Sequence, residues 1–218
     1  MDAKKLEVSP AGATFLSTEH WHLLGTRSMG WNESFNRASI FLNTLSAFVV
    51  ALALVANASG FGRSFSRFAF VLFPIVLFLG VTTYIRLVRI NLNDSYIVAA
   101  MNRLRRAYVE AAPEIVPYLT SGTTDDMEGM YQSILLGQKS RQNPLPHIIV
   151  TTPTLLLVLN AIIGSAGSAY AAERAGASDV VISIVAVLVA LVIGISLASV
   201  QARAAREMLA HTVRFPSA

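Results

Sequence analysis

Cysteine is absent from the 218 residues, which excludes disulfides, thiol nucleophiles and cysteine-ligated metals. Charge is scarce too: 14% of the residues are Asp, Glu, Lys or Arg, against about 25% in a soluble globular domain. The scarcity is concentrated. No Asp, Glu, Lys, Arg or His lies within residues 38–58, 68–85, 148–169 or 180–200. Proton-coupled carriers place carboxylates or histidines inside their membrane bundle and voltage sensors place arginines there, so this pattern argues against both. The sequence also lacks a Ser-His-Asp set, a Gly-rich phosphate loop and an HExxH motif. Of the four histidines, His20 and His22 are two residues apart and would point to nearly opposite sides of a helix, a poor start for a metal site. The expectation is no enzymatic activity, no metal and no cofactor. The opening residues carry no early apolar run of the signal-peptide kind, so the first membrane helix is expected to direct insertion itself.

What the chain does have is length within those runs. About 20 apolar residues cross a hydrocarbon core roughly 30 Å thick, and each of the four runs is near that length. The expected fold class is all-α: an integral membrane protein with four transmembrane helices, two of which extend into a small cytoplasmic helical bundle. Orientation follows from the basic residues. With both ends of the chain on one side of the membrane, 14 of the 17 Lys and Arg residues lie on that side and three on the other. Cytoplasmic loops retain positive charge, so both termini are expected to be cytoplasmic. The formal net charge of +4 is then a membrane-flanking feature, and no nucleic-acid partner is expected.

The chain divides accordingly. Residues 1–17 read as a flexible start, with Ser17 or Thr18 capping a long helix over 18–58 that includes the first span. Residues 68–112 read as the second span running on into a cytoplasmic helix, stopped by Pro113. Beyond the bilayer its apolar positions are Leu87, Ile90, Ile97, Met101, Leu104, Tyr108 and Ala111, with Asp94 in the single gap; this 3,4 spacing is a helix-packing seam. Residues 113–146 hold a short amphipathic helix and a linker; Thr123 precedes Asp126 with capping-box spacing, and Asp125, Asp126 and Glu128 suit a helix N-terminus electrostatically. The helix is expected to run to about Gln138 and to bury Met127, Met130 or Tyr131, and Ile134. Residues 147–218 form the third and fourth spans and a short tail.

The most specific pattern is a polar stripe on the first helix: Asn32, Asn36, Ser39, Asn43 and Ser46, at steps of 4, 3, 4 and 3. At 100° per residue these side chains fall within roughly 80° of arc. Val50 and Ala53 continue the same register. Amides and hydroxyls facing lipid are costly, so this face must meet other helices or water. It is either interhelical glue or, with copies of the helix ringed about an axis, the wet lining of a pore with Val50 and Ala53 as an apolar collar. Asn160, alone in the third run, shares a face with Gly164 and Gly167 and reads as a packing hydrogen bond. Ala186, Ala190, Gly194 and Ala198 give the fourth run a small-residue face suited to close packing. Arg103, Arg105 and Arg106 read either as a solvated helix face or as a site for an anionic ligand.

The stretches WNESFNRASIFLNTLSAFVVALALVAN, VLFPIVLFLGVTTYIRLVRIN and MNRLRRAY resemble a set of bacterial four-helix integral membrane proteins with no known activity. That resemblance implies an inner-membrane location and carries over no functional residue. In layout alone the chain is similar to bestrophin-type channels, which have cytoplasmic termini, two hairpins and a helical insert around a central pore. The function expected is an oligomeric ion channel or pore of cyclic symmetry. The alternative is a non-conducting scaffold, signalling or defence effector whose cytoplasmic bundle engages a partner.

Overall fold

The computed structural model describes residues 8–135 and 151–217. Of these residues 86% are helical and none is in a strand, so the fold is all-α. Helix α1 spans Pro10–Ser59, α2 Arg63–Ala111, α3 Met127–Ile134, α4 Thr152–Arg174 and α5 Asp179–Leu209; a 3-10 turn covers Pro113–Tyr118. Four of them, α1, α2, α4 and α5, are long and apolar enough to cross a membrane. At 50 residues α1 is roughly 75 Å long, more than twice the hydrocarbon thickness.

Helix α1 starts eight residues before the position expected. Pro10 takes the first helical position, where a missing N–H costs nothing, and Ser9 Oγ accepts the Gly12 N–H at 3.1 Å. Helix α2 likewise starts at Arg63 rather than residue 68. The link between them turns at Gly60, whose φ of 60° favours glycine. Pro113 does end α2, and it then opens the 3-10 turn. The expected short helix is α3, but its cap is Asp126 and not Thr123: the Asp126 carboxylate accepts the Gly129 N–H, so the helix starts three residues later than the capping-box spacing implies. It ends at Ile134 with Leu135 as its C-cap, short of the expected Gln138, and residues 136–150 lie outside the described residues.

The described chain forms two compact units. One contains Glu33–Arg89 and residues 151–203 and holds the apolar helices. Its interior includes Phe41, Ala69, Val76, Tyr84, Leu87, Leu156 and Leu197. Phe48 meets Phe73 edge-on at 5.2 Å, and the Tyr84 hydroxyl donates to the Leu197 carbonyl at 2.8 Å. Gly80 leaves the notch that Asn160 and Phe41 fill; a Cβ there would lie 2.8 Å from the Phe41 ring and inside the Asn160 amide. On its outside this unit exposes Ile40, Val49, Phe70, Phe78, Val187, Leu188 and Ile195. So broad an apolar surface belongs in lipid, not water.

The small-residue face of α5 is only partly covered among the described residues, with Ala186, Ala190 and Gly194 half-buried. A Cβ on Gly194 would meet nothing within 4 Å, and Ala198 is exposed. It is instead the Ile193 side chain of α5 that reaches Gly164 of α4.

The other unit contains residues 8–32, Ile90 to residue 135, and residues 204–217. Its core groups Leu92, Val98, Ala99, Met130 and Met208, with Tyr96, Met127 and Ala204 against them. The seam on α2 is used: Ile90 and Met101 are buried, and the Tyr108 hydroxyl donates to the Leu16 carbonyl at 3.1 Å. Asp94, the polar gap in that seam, accepts Arg27 of α1 at 2.8 and 3.3 Å. A second buried face on α2, containing Leu92, Val98, Ala99 and Asn102, serves the rest of the unit.

Candidate functional site

Helix α1 has one packed side and one open side within the unit that holds the apolar helices. Ser34, Ala38, Phe41 and Phe48 are its buried residues. At 100° per residue they cluster roughly 160° away from the mean direction of the polar stripe. Asn36, Ser39, Asn43, Ser46, Val50 and Ala53 are all exposed, Val50 to 57%. Asn57 continues the register and is exposed as well; Asn32, the last residue of the other unit on this helix, is also exposed.

Hydrogen bonding divides the stripe. The Ser46 hydroxyl returns its proton to the Leu42 carbonyl at 2.9 Å, as a helix serine in an apolar setting does. The amides of Asn36 and Asn43 make no such bond and find no partner among the described residues. An amide can make up to four hydrogen bonds, and several kcal/mol are at stake when it faces hydrocarbon instead (roughly 2–7). Ile40, 65% exposed, and Val49, 56% exposed, flank the stripe on either side, so an apolar surface borders a polar one on a single helix. At the start of the stripe Glu33 accepts Arg37 at 2.8 Å and Arg86 at 2.8 and 2.7 Å, a cluster of net +1.

Asn160 has a different role from the stripe. It is fully buried, its amide donates to the Leu156 carbonyl at 2.7 Å, and its Oδ1 has no donor among the described residues. That oxygen sits against Gly80, so Asn160 fills the contact between α4 and α2, but its hydrogen bond stays within α4 and does not cross between helices as the packing hydrogen bond expected.

The arginine triplet is engaged inside the other unit rather than gathered on one open face. Arg103 Nε reaches Asp125 at 2.5 Å, and its Nη2 donates to the Thr212 carbonyl at 3.1 Å and lies 2.9 Å from His211 Nε2. Arg105 donates to Asn102 Oδ1 at 2.7 Å, and Arg106 pairs with Glu110 at 2.7 Å. Burial alone would raise the Asp125 carboxyl pKa, but Arg103 and the N–H groups of Phe215 and Arg214 outweigh it and hold the carboxyl below its usual range. Asp126 follows the same logic: burial raises it, while the Ser217 hydroxyl, the Gly129 and Ser217 N–H groups and the Thr124 hydroxyl bring it to about 2.

Two residues organise this unit in ways the sequence did not show: Asn102 carried no signal of its own, and Asp125 read only as helix N-terminal charge. Asn102 donates to the Thr124 carbonyl at 2.7 Å and accepts the Ser133 hydroxyl at 2.7 Å. Asp125 binds the tail through N–H groups of Arg214 and Phe215 at 2.7 to 3.1 Å. The available signal was positional: an amide next to a triple arginine and a pair of aspartates ahead of a helix.

No protein-family model, no curated protein and no solved structure matches the chain.

Proposed function

We propose that this protein assembles as a homo-oligomer of cyclic symmetry around a pore, with Asn36, Ser39, Asn43 and Ser46 of α1 facing the water path, Asn32 at its cytoplasmic end and Val50 and Ala53 as an apolar collar. One observation supports the reading: the stripe lies on the side of α1 opposite Phe41 and Phe48, and the described helices leave it uncovered. Stranded amides do not belong against acyl chains. Copies ringed about an axis satisfy them with water and with one another, while Ile40 and Val49 on the flanks meet neighbouring copies or lipid. Neutral amides and hydroxyls hydrate an ion without binding it tightly, and a ring of valines gates by dewetting. The location that suits this is the bacterial inner membrane, with both termini cytoplasmic.

Reconstitution into liposomes tests it. Wild-type protein passes small ions at a rate that Asn43→Leu lowers without changing the mass of the assembly. An assembly of unchanged mass with no flux from either protein would instead support a non-conducting scaffold. That second reading draws on Phe15, Trp21 and Met29, each at least 70% exposed in the other unit, which offer an apolar surface to a cytoplasmic partner.

A further inference from the structure

A cavity of about 420 Å³ opens at the hairpin end of the apolar unit, away from the stripe. Its floor is Leu52, Phe73 and Ala166, all inside the uncharged runs, and its walls include Phe65 and Tyr170. Its rim is charged, with Arg174 and Glu173 both lining it just past the end of the third run. The aromatic walls are braced: Phe65 meets Tyr170 edge-on at 5.7 Å, and the Tyr170 hydroxyl donates to Ser66 at 2.9 Å.

Arg174 is oriented before any ligand arrives. Its Nε donates to the Tyr170 hydroxyl at 3.0 Å, Nη2 donates to the Phe61 carbonyl, and the guanidinium lies 5.2 Å from the Tyr170 ring centre. None of these contacts neutralises it, and among the described residues no carboxylate pairs with it. Glu173 has no ion-pair partner among them either. The site therefore offers an apolar, aromatic chamber of ligand size beneath one oriented cation and one open carboxylate.

A soluble anion would leave the floor empty, and a plain hydrocarbon would leave the rim unused. The complementary molecule is amphiphilic, apolar below, with one phosphate and one ammonium above. We infer that this cavity holds one zwitterionic phospholipid of the surrounding leaflet, its acyl chain between Phe65, Phe73 and Ala166, its phosphate on Arg174 and its ammonium beside Glu173 and the ring faces. The inference depends on the chain residing in a bilayer and not on its conducting ions.

Native mass spectrometry of protein released from vesicles containing phosphatidylethanolamine, phosphatidylglycerol and diacylglycerol tests it. The wild type retains one phosphatidylethanolamine per chain in preference to the other two. Ala166→Trp, which fills the floor, abolishes retention, whereas Leu188→Trp on the exposed side of α5 does not. Arg174→Gln weakens it about tenfold, the loss of one charge-assisted hydrogen bond. Diacylglycerol or phosphatidylglycerol retained as well as phosphatidylethanolamine would overturn the assignment, and this comparison needs no variant to fold. Undiminished retention in a folded Ala166→Trp would overturn it too, as would displacement of the lipid by inorganic phosphate alone.

Discussion

Phe41 and Asn43 stand two residues apart on α1 and face opposite ways: the ring is 2% exposed against Gly80 of α2, while the amide is exposed and without a partner among the described residues. The helix thus has a packed side of aromatic and small residues and an open side of amides and hydroxyls. Among the described residues, only the first is covered by the chain's own helices.

The Gly80 notch makes a sharp stability prediction. Gly80→Ala forces a methyl into Asn160 and Phe41 and should cost about 1–3 kcal/mol, as overpacking does. Gly194→Ala, where a Cβ meets nothing within 4 Å, should leave the unfolding midpoint in detergent unchanged or slightly raised. Thermal unfolding of the two variants side by side checks this.

Arg27 and Asp94 should behave as a coupled pair. Each is largely shielded, with 27% and 15% side-chain exposure, so Asp94→Ala strands a guanidinium and should cost about 1–3 kcal/mol. The double reversal Arg27→Asp with Asp94→Arg should recover part of that loss. A double-mutant cycle on unfolding midpoints measures the coupling.

The tail contacts should be stable to acid down to an unusually low pH. Asp125 and Asp126 both have depressed carboxyl pKa values in the folded chain, Asp126 at about 2. Their contribution is therefore complete above the unfolded carboxylate value of about 3.9 and is lost as pH falls below it through their depressed folded values, about 2 for Asp126. Hydrogen exchange at the Arg214 and Phe215 amides should stay slow through pH 5. Asp125→Ala should release both amides at neutral pH.

Much of this architecture was legible because lipid imposes simple rules. Uncharged runs near 20 residues marked the four apolar helices, and the 3,4 spacing from Leu87 to Ala111 marked the seam of α2. Asp94 showed as a gap in that seam, but its partner Arg27 lies 67 positions away and no local pattern links them. The start at Pro10 was missed because Ser17 and Thr18 offered an equally good cap, and the Ser9 hydroxyl decided the matter through a contact only three residues long. In α3 the buried side carries Gly129, Met130 and Ser133 and leaves Tyr131 and Ile134 exposed, because Asn102 captures the Ser133 hydroxyl and fixes the helix rotation. The stripe itself was visible as a period. Whether it faced the chain's own helices was not, since glue and pore lining require the same residue types at the same spacing.

Thiol accessibility in membranes tests the central claim most directly, and the natural absence of cysteine supplies a clean background. Single substitutions Ser39→Cys, Asn43→Cys and Ser46→Cys, with Ile40→Cys and Val49→Cys as flanking controls, are treated in liposomes with a charged, membrane-impermeant methanethiosulfonate while ion flux is recorded. The account requires rapid modification and falling flux at residues 39, 43 and 46, with residues 40 and 49 unreactive. Residues 39, 43 and 46 all inert, with flux unaffected, would contradict it.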